Sequence, residues 1–168
     1  IDFYVTFGYF FSGLPWHQDR WLYLDRDPLL NVYLALDPAV PESGCMKIIS
    51  GSHKRGLINP SHHSSFLSEK QCRNMGLMGS GTGSGTVGGK QAAATNPNVE
   101  EFWLHTGEVA LMHNWVLHCS GLNQTSRSRR ALSVSFMDAR SKLTRENFTE
   151  YVGGELQTTG YPEGAMEF

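Results

Sequence analysis

The sequence has little cysteine, no long apolar run and no excess of positive charge, and each absence removes a class of protein. Its three cysteines, Cys45, Cys72 and Cys119, are odd in number and form no C-x-x-C pair. A disulfide framework and a Cys-rich zinc site are therefore not expected. No apolar stretch approaches the ~20 residues of a membrane-spanning helix. Fourteen Lys and Arg stand against 16 Asp and Glu, a net charge of −2, whereas a general nucleic-acid binder carries a basic excess. Helical periods do not alternate with strand periods, so a doubly wound nucleotide-binding fold is disfavoured. Gly83-Ser-Gly85-Thr-Val-Gly88 matches G-x-G-x-x-G, but it lies in a Gly/Ser run rather than between a strand and a helix, and is rejected as a dinucleotide site. The sequons at Asn123 and Asn147 read as chance matches. The expected compartment is the cytosol, with a peroxisomal address left open.

What is present is an ordinary globular mix, 40% apolar and 18% charged in 168 residues, with 18 glycines and seven prolines. That length suits one domain with a sizeable core, and the turn residues favour short strands. The chain begins at Ile1 inside an aromatic-rich run, which reads as part of a longer protein.

Strands are expected at Phe3–Phe11, Trp16–Leu24, Leu30–Leu36, Cys45–Ser50, Glu101–Leu104, Val109–His113, Trp115–His118 and Ala131–Met137. Leu30, Val32, Leu34 and Leu36 alternate with Asn31, Tyr33 and Ala35, the period of a half-buried strand. Residues 54–98 are polar, contain His62-His63 and the glycine run 79–89, and read as a flexible insertion, expected to act as a lid. Residues 141–168 form a mixed tail expected to hold a short helix. Many short strands with one long insertion predict an all-β core, 1–140, of the sandwich or jelly-roll kind.

His17-Gln18-Asp19 is the first cluster with chemistry in it. Residues two apart on an extended segment share a face, so an imidazole and a carboxylate can converge on a metal. The pattern alone arises by chance in roughly one such chain in four, and the plain alternative is a surface pair. It gains weight from His118-Cys-Ser120-Gly-Leu-Asn123 downstream and from Arg129, eleven positions after His118. Two histidines and one carboxylate leave three metal positions open. Between the two adjacent arginines, Arg129 shares its parity with Ala131, Ser133 and Ser135, a small polar face with room for a ligand, and Arg130 shares the apolar face. Arg129 is the better carboxylate clamp.

These stretches, together with Gly44-Cys-Met-Lys-Ile-Ile-Ser-Gly51-Ser52-His53-Lys54, Gly107-Glu108 and Arg129-Arg-Ala-Leu-Ser133, resemble the phytanoyl-CoA dioxygenase family of iron(II)- and 2-oxoglutarate-dependent oxygenases. The resemblance covers roughly residues 3–140 in the family's order. It implies a double-stranded β-helix (β-rich α+β in the intact protein), with His17, Asp19 and His118 binding Fe(II). By the same resemblance Arg129 holds the distal carboxylate of 2-oxoglutarate, helped by Ser120, with Tyr33 beside it. Iron(II), Asp19 and Arg129 together carry +2 against the two negative charges of the co-substrate. The implied reaction consumes O2 and 2-oxoglutarate, releases succinate and CO2, and hydroxylates a small organic or lipid-derived substrate. Related halogenases have a small residue in place of the carboxylate, so Asp19 points to hydroxylation. No nucleic-acid or membrane partner is implied.

Trp16, Gln18 and Trp21 are expected to line the pocket or pack. His53 belongs to a structural Gly-Ser-His turn, His113 to the core or the surroundings of the site, and His62-His63 to solvent; His105 has no supporting context. Ser50 stands where the family usually has proline and Cys119 where glycine is common, and the family's N-terminal helical region has no counterpart. Two other readings stand beside the oxygenase: a cupin-like metalloenzyme that does not use 2-oxoglutarate and has no need of Arg129, and a non-catalytic jelly-roll binding module.

Overall fold

The computed structural model describes residues 3–9, 13–21, 24–59, 65–77, 96–142, 148–152 and 155–159, the first segment and the last two by their backbone. Seven antiparallel strands build two facing sheets. β1 (Phe3–Tyr9), β7 (Arg130–Phe136), β2 (Leu30–Ala35) and β5 (Val109–His113) lie in that order in the larger one. β4 (Val99–Phe102), β3 (Met46–Ile49) and β6 (His118–Ser120) make the smaller. Apart from β3 and β4, the paired neighbours are non-consecutive strands, as expected of a jelly roll.

Alternation decides what each face of the larger sheet carries. In β2 and β7 the register sets Val32 opposite Val134 and Leu34 opposite Leu132, and β5 adds Leu111 and Val109 to the same face. Leu111 is 70% exposed and Val109 52%, so this apolar face is the outer one. The inner face carries Asn31, Tyr33 and Ala35 from β2, Ala110 from β5, and Ala131, Ser133 and Ser135 from β7. Ala35 and Ala110 on that face pack in one buried cluster with Ala39, Cys45 and Leu104. Arg130 reaches the surface and bonds Asp37 through its Nε, Nη2 and backbone N–H, which hold the Asp37 carboxyl well below the usual carboxylate range.

Several strands differ from expectation. At its described positions Trp16–Leu24 forms no strand: His17 makes isolated bridges, to Phe66 and His118. Its polar side chains explain this, since Gln18 and Asp19 take partners on different elements instead of repeating along one ladder. Trp115–His118 is a turn up to Leu117, closed by the bond from Val116 N–H to His113 O, and strand begins only at His118. The tail holds no helix at its described positions; Phe148–Val152 (β8) pairs with Glu155–Thr159 (β9) as an antiparallel hairpin. Thr149, Tyr151, Val152, Thr158 and Thr159 favour strand, and Gly153-Gly154 between the runs is a hairpin signal.

Within the stretch expected to be flexible, residues 65–77 have a defined place. Ser68 caps the helix α1 (Glu69–Asn74), its hydroxyl accepting from Gln71 N–H. Leu67, Cys72 and Leu77 are buried in one cluster with Trp16, Ile49, Leu117 and Cys119. His62-His63 and the glycine run fall outside the described residues. No helix among the described residues is long and apolar enough to cross a membrane.

All three cysteines are free and buried. Burial raises each thiol, Cys45 to about 11 and Cys119 to about 12, with the Glu101 charge adding to the rise at Cys45. Thiolate is the reactive form. The native chain at pH 7.5 is therefore expected to consume less than one equivalent of a chromogenic disulfide reagent in the time free cysteine reacts fully. In guanidinium chloride all three should react. Rapid labelling of the native chain would contradict this burial.

Candidate metal centre

The backbone brings the ligands together before any side chain acts. His17 and His118 form a two-way antiparallel bridge, with N–H to carbonyl distances of 2.9 and 3.1 Å. Two residues on, Asp19 N–H donates to Asn114 O at 2.8 Å, which swings its carboxylate back toward both rings. The segment between is locked by Gln18, which is 2% exposed. Its amide nitrogen donates to Gly56 O and Trp115 O, and its carbonyl accepts from Ile58 N–H. Gln18 is thus a positioning residue that ties the ligand segment to the loops on either side of it. Ser52 performs the matching task for His118: its hydroxyl accepts from Leu117 N–H at 2.8 Å.

His17, Asp19 and His118 offer three ligand atoms that all lie within 4.8 Å of one another. The Nε2 atoms of His17 and His118 stand 3.5 and 3.6 Å from Asp19 Oδ1. Donors bound to one ion at ~2.1 Å and at right angles lie ~3 Å apart, so this set needs only a small contraction to close on a metal. The tautomers also suit one. His17 Nδ1 lies 2.7 Å from Pro15 O and His118 Nδ1 lies 2.9 Å from Val116 O. A carbonyl accepts only, so each Nδ1 carries a proton, and it is each Nε2 that faces Asp19 and a metal that would displace any proton on it. Burial works against charge on Asp19, yet the hydrogen bond from His17 and the neighbouring His118, His17 and Asn31 outweigh it and bring the carboxyl down to about 2. Burial holds the His118 imidazole below its ordinary value, which keeps it neutral. Two imidazoles turned inward through Nε2 and one carboxylate fit a divalent transition metal and leave further positions open.

Arg129 is 3% exposed and belongs to the inner face. Its Nη1 donates to Gly44 O and its Nη2 to Gly121 O. Burial pulls its pKa below the ordinary value, and Tyr33 lies close enough for the Arg129 charge to act on its hydroxyl. The loop before Arg129 is set by Asn123, whose side chain bonds Arg127 O, Thr125 N–H and the Thr125 hydroxyl. Ser120 ends β6 with its hydroxyl accepting from Leu14 N–H at 3.1 Å. His53 stacks on His113 at a centroid distance of 5.0 Å, and neither belongs to the ligand group.

Two residues beside the site were given no role by the sequence. Asn31 Nδ2 donates to Asp19 Oδ2 at 2.9 Å, and Ser133 Oγ donates to Asn31 Oδ1 at 2.8 Å. The signal in the sequence was an amide and a hydroxyl at inward positions of strands otherwise rich in Leu, Val and Ala.

A two-sheet jelly roll holding a His-x-Asp and a distant His between its sheets has the architecture of the two-histidine, one-carboxylate metalloproteins. The chain belongs to the phytanoyl-CoA dioxygenase (PhyH) family, whose sequence profile matches residues 4–131. It is similar to the mouse phytanoyl-CoA dioxygenase domain-containing protein 1, 32% identical over 126 residues that make up 73% of this chain and 38% of the mouse protein. A Caenorhabditis elegans homologue of that protein is 25% identical over 125 residues, 74% of this chain and 40% of its own length. The chain thus spans about two fifths of these relatives. Among solved structures, EvdO2 from Micromonospora carbonacea var. aurantiaca, complexed with 2-oxoglutarate, aligns with a TM-score of 0.55 and 26% identity over 85% of this chain and 54% of that one. The carbocyclase SnoK of nogalamycin biosynthesis, described as non-haem and α-ketoglutarate dependent, shares the fold with a TM-score of 0.55 at 21% identity, over 78% of this chain and 45% of its own.

Proposed function

We propose that the chain is the catalytic core of an Fe(II)- and 2-oxoglutarate-dependent dioxygenase that hydroxylates a small organic or lipid-derived substrate. The observation that carries this reading is the convergence of His17 Nε2, Asp19 Oδ1 and His118 Nε2 with both Nδ1 atoms tied to carbonyls. Family membership and the 2-oxoglutarate complex of the similar EvdO2 support the choice of cofactor. Bound iron, with O2 and 2-oxoglutarate, supplies oxidative decarboxylation to succinate and CO2 coupled to insertion of one oxygen atom into a substrate C–H bond.

The chain's own residues do the rest. His17 and His118 lend fixed lone pairs, and Asp19 lends the one negative charge of the ligand set. Arg129 lies on the small-residue inner face, where its guanidinium offers a fork to the far carboxylate of the co-substrate. Tyr33 and Ser120 supply hydroxyls on the β2 and β6 sides. The described stretch 65–77 of the insertion backs the ligand segment, Leu67, Cys72 and Leu77 packing in one cluster with Trp16 and Leu117.

The test needs no substrate. Fe(II) and 2-oxoglutarate added without oxygen should give the visible charge-transfer band of the chelate. In Arg129→Leu the 2-oxoglutarate concentration for half-maximal band should rise on the order of 10- to 100-fold, while iron binding persists. Iron binding without a band in the unmodified chain would sink the 2-oxoglutarate claim and favour the cupin-like enzyme. No iron binding would favour the binding module.

A further inference from the structure

We infer that Asn31, held by Ser133, is a positioning residue that keeps Asp19 a one-oxygen ligand and so preserves a metal position for the co-substrate. This rests on the reading of His17, Asp19 and His118 as the iron ligands. A carboxylate can bind a metal through one oxygen or both, and the two-oxygen mode occupies a second position. With two histidines and a one-oxygen carboxylate, three of six positions stay open. A 2-oxo acid chelating through two atoms takes two of these, and O2 needs the third. If Asp19 turned both oxygens to the metal, co-substrate and oxygen would compete for what is left.

The hydrogen bonds around Asp19 separate its two oxygens. Oδ1 faces His17 Nε2 and His118 Nε2 at 3.5 and 3.6 Å. Oδ2 points away and accepts from Asn31 Nδ2 at 2.9 Å. The orientation of Asn31 follows from chemistry. An ionised carboxylate only accepts, so the Asn31 NH2 must face it, and the Asn31 carbonyl then faces Ser133. Ser133 Oγ, 2.8 Å from that carbonyl, must be the donor. Each link fixes the next, and both residues sit on adjacent strands whose pairing sets their spacing: β2 and β7 are in register with Asn31 opposite Ser135 and Tyr33 opposite Ser133. Asn31 is buried, so no water competes freely for its amide. The chain Ser133–Asn31–Asp19 therefore anchors a ligand from the larger sheet, while the smaller sheet holds His118.

A plain structural role would satisfy a buried amide and leave the metal indifferent to it. Co(II) separates the two, because its visible spectrum reports coordination and needs no turnover. The unmodified chain should bind Co(II) with a weak band, and 2-oxoglutarate should then bind the loaded form. In Asn31→Leu, close in volume, Co(II) affinity should fall ~10- to 100-fold. Its spectrum should change, and 2-oxoglutarate affinity for the Co(II)-loaded form should fall by a further ~10-fold as Asp19 swings to two-oxygen binding. Ser133→Ala, a smaller change, should shift all three readouts in the same direction, and Ser133→Thr, which keeps the hydroxyl, should restore them. Unchanged Co(II) and 2-oxoglutarate affinities in a folded Asn31→Leu would overturn the inference. If that variant does not fold, an unmodified spectrum and affinities in Ser133→Ala overturn it instead. Failure of the unmodified chain to take up Co(II) would overturn the metal reading, and this inference with it.

Discussion

Asp19→Ala is expected to take up no Fe(II) or Co(II) at concentrations that saturate the unmodified chain, a loss in affinity of at least ~100-fold, while the fold persists. Asp19 brings the only negative charge of the ligand group, and without it two neutral imidazoles face a dication alone. Its removal is mild for folding because its side chain is only partly enclosed, 24% exposed, so the space it vacates opens to water, which replaces the carboxylate at the otherwise buried Asn31 amide. The backbone bond from Asp19 N–H to Asn114 O does not depend on the side chain and keeps the segment in place. Acid should release metal from the unmodified chain through its histidines. The Asp19 carboxyl, at about 2 against an ordinary 3.8, stays ionised down to strongly acid solution. The ligand nitrogens, by contrast, must be neutral to bind, and protons displace the metal from them. Titration calorimetry of the metal-free chain with Co(II), at pH 7.5 and pH 5.5, checks both statements. Binding by Asp19→Ala within threefold of the unmodified chain would remove Asp19 from the ligand set.

The candidate ligands that the structure brings together could be picked out because they sit in motifs whose spacing survives without structure: His17-x-Asp19, then His118, then an arginine of the right parity. Parity placed Arg129 on the buried face because β7 is a regular strand, so that position 129 falls with Ala131 and Ser135, and Arg130 with Leu132 and Val134. Strand prediction failed where long-range bonds overrule local preference. Trp16 to Leu24 has the aromatic composition of a strand, yet Gln18 and Asp19 are committed to partners 38 to 97 and 12 positions away. Nothing local announces such partners. The same holds for Asn31 and Ser133, 102 positions apart: parity puts Ser133 on the face of Arg129, but nothing local says that it meets Asn31 until β2 and β7 pair. Leu67, Cys72 and Leu77 were hidden in a polar, glycine-rich stretch whose average composition masked a capped helix with one buried side. Motif chemistry is written in short spacings; the residues that hold a motif in place are distributed over the sheet.

Gly44→Ala is expected to destabilise the chain by ~3 kcal/mol and to weaken 2-oxoglutarate binding, although position 44 is no ligand and has no side chain. Two costs add. Gly44 has a φ of 73°, the left-handed region, where a Cβ costs roughly 1–2 kcal/mol. That Cβ would also overlap the backbone carbonyl of Gly121, which cannot move aside as a flexible side chain would. The two glycines approach this closely because Gly121 N–H donates to Gly44 O, joining the turn before β3 to the loop after β6. Both of their carbonyls also accept from Arg129, so prying them apart moves the seat of the guanidinium. Gly51 separates the two costs: its φ is 72°, but a Cβ there meets nothing within 4 Å. Gly51→Ala should therefore lose only about 1–2 kcal/mol and leave co-substrate binding unchanged. For a domain of this size ~3 kcal/mol lowers the melting temperature by about 6–12 °C, against ~2–8 °C for the control. Thermal melts of the two variants, read beside the half-saturation of the anaerobic Fe(II) chelate band, test the argument. Equal losses of stability would show that backbone strain alone sets the cost. A normal chelate in a destabilised Gly44→Ala would show that Arg129 keeps its place without these two carbonyls.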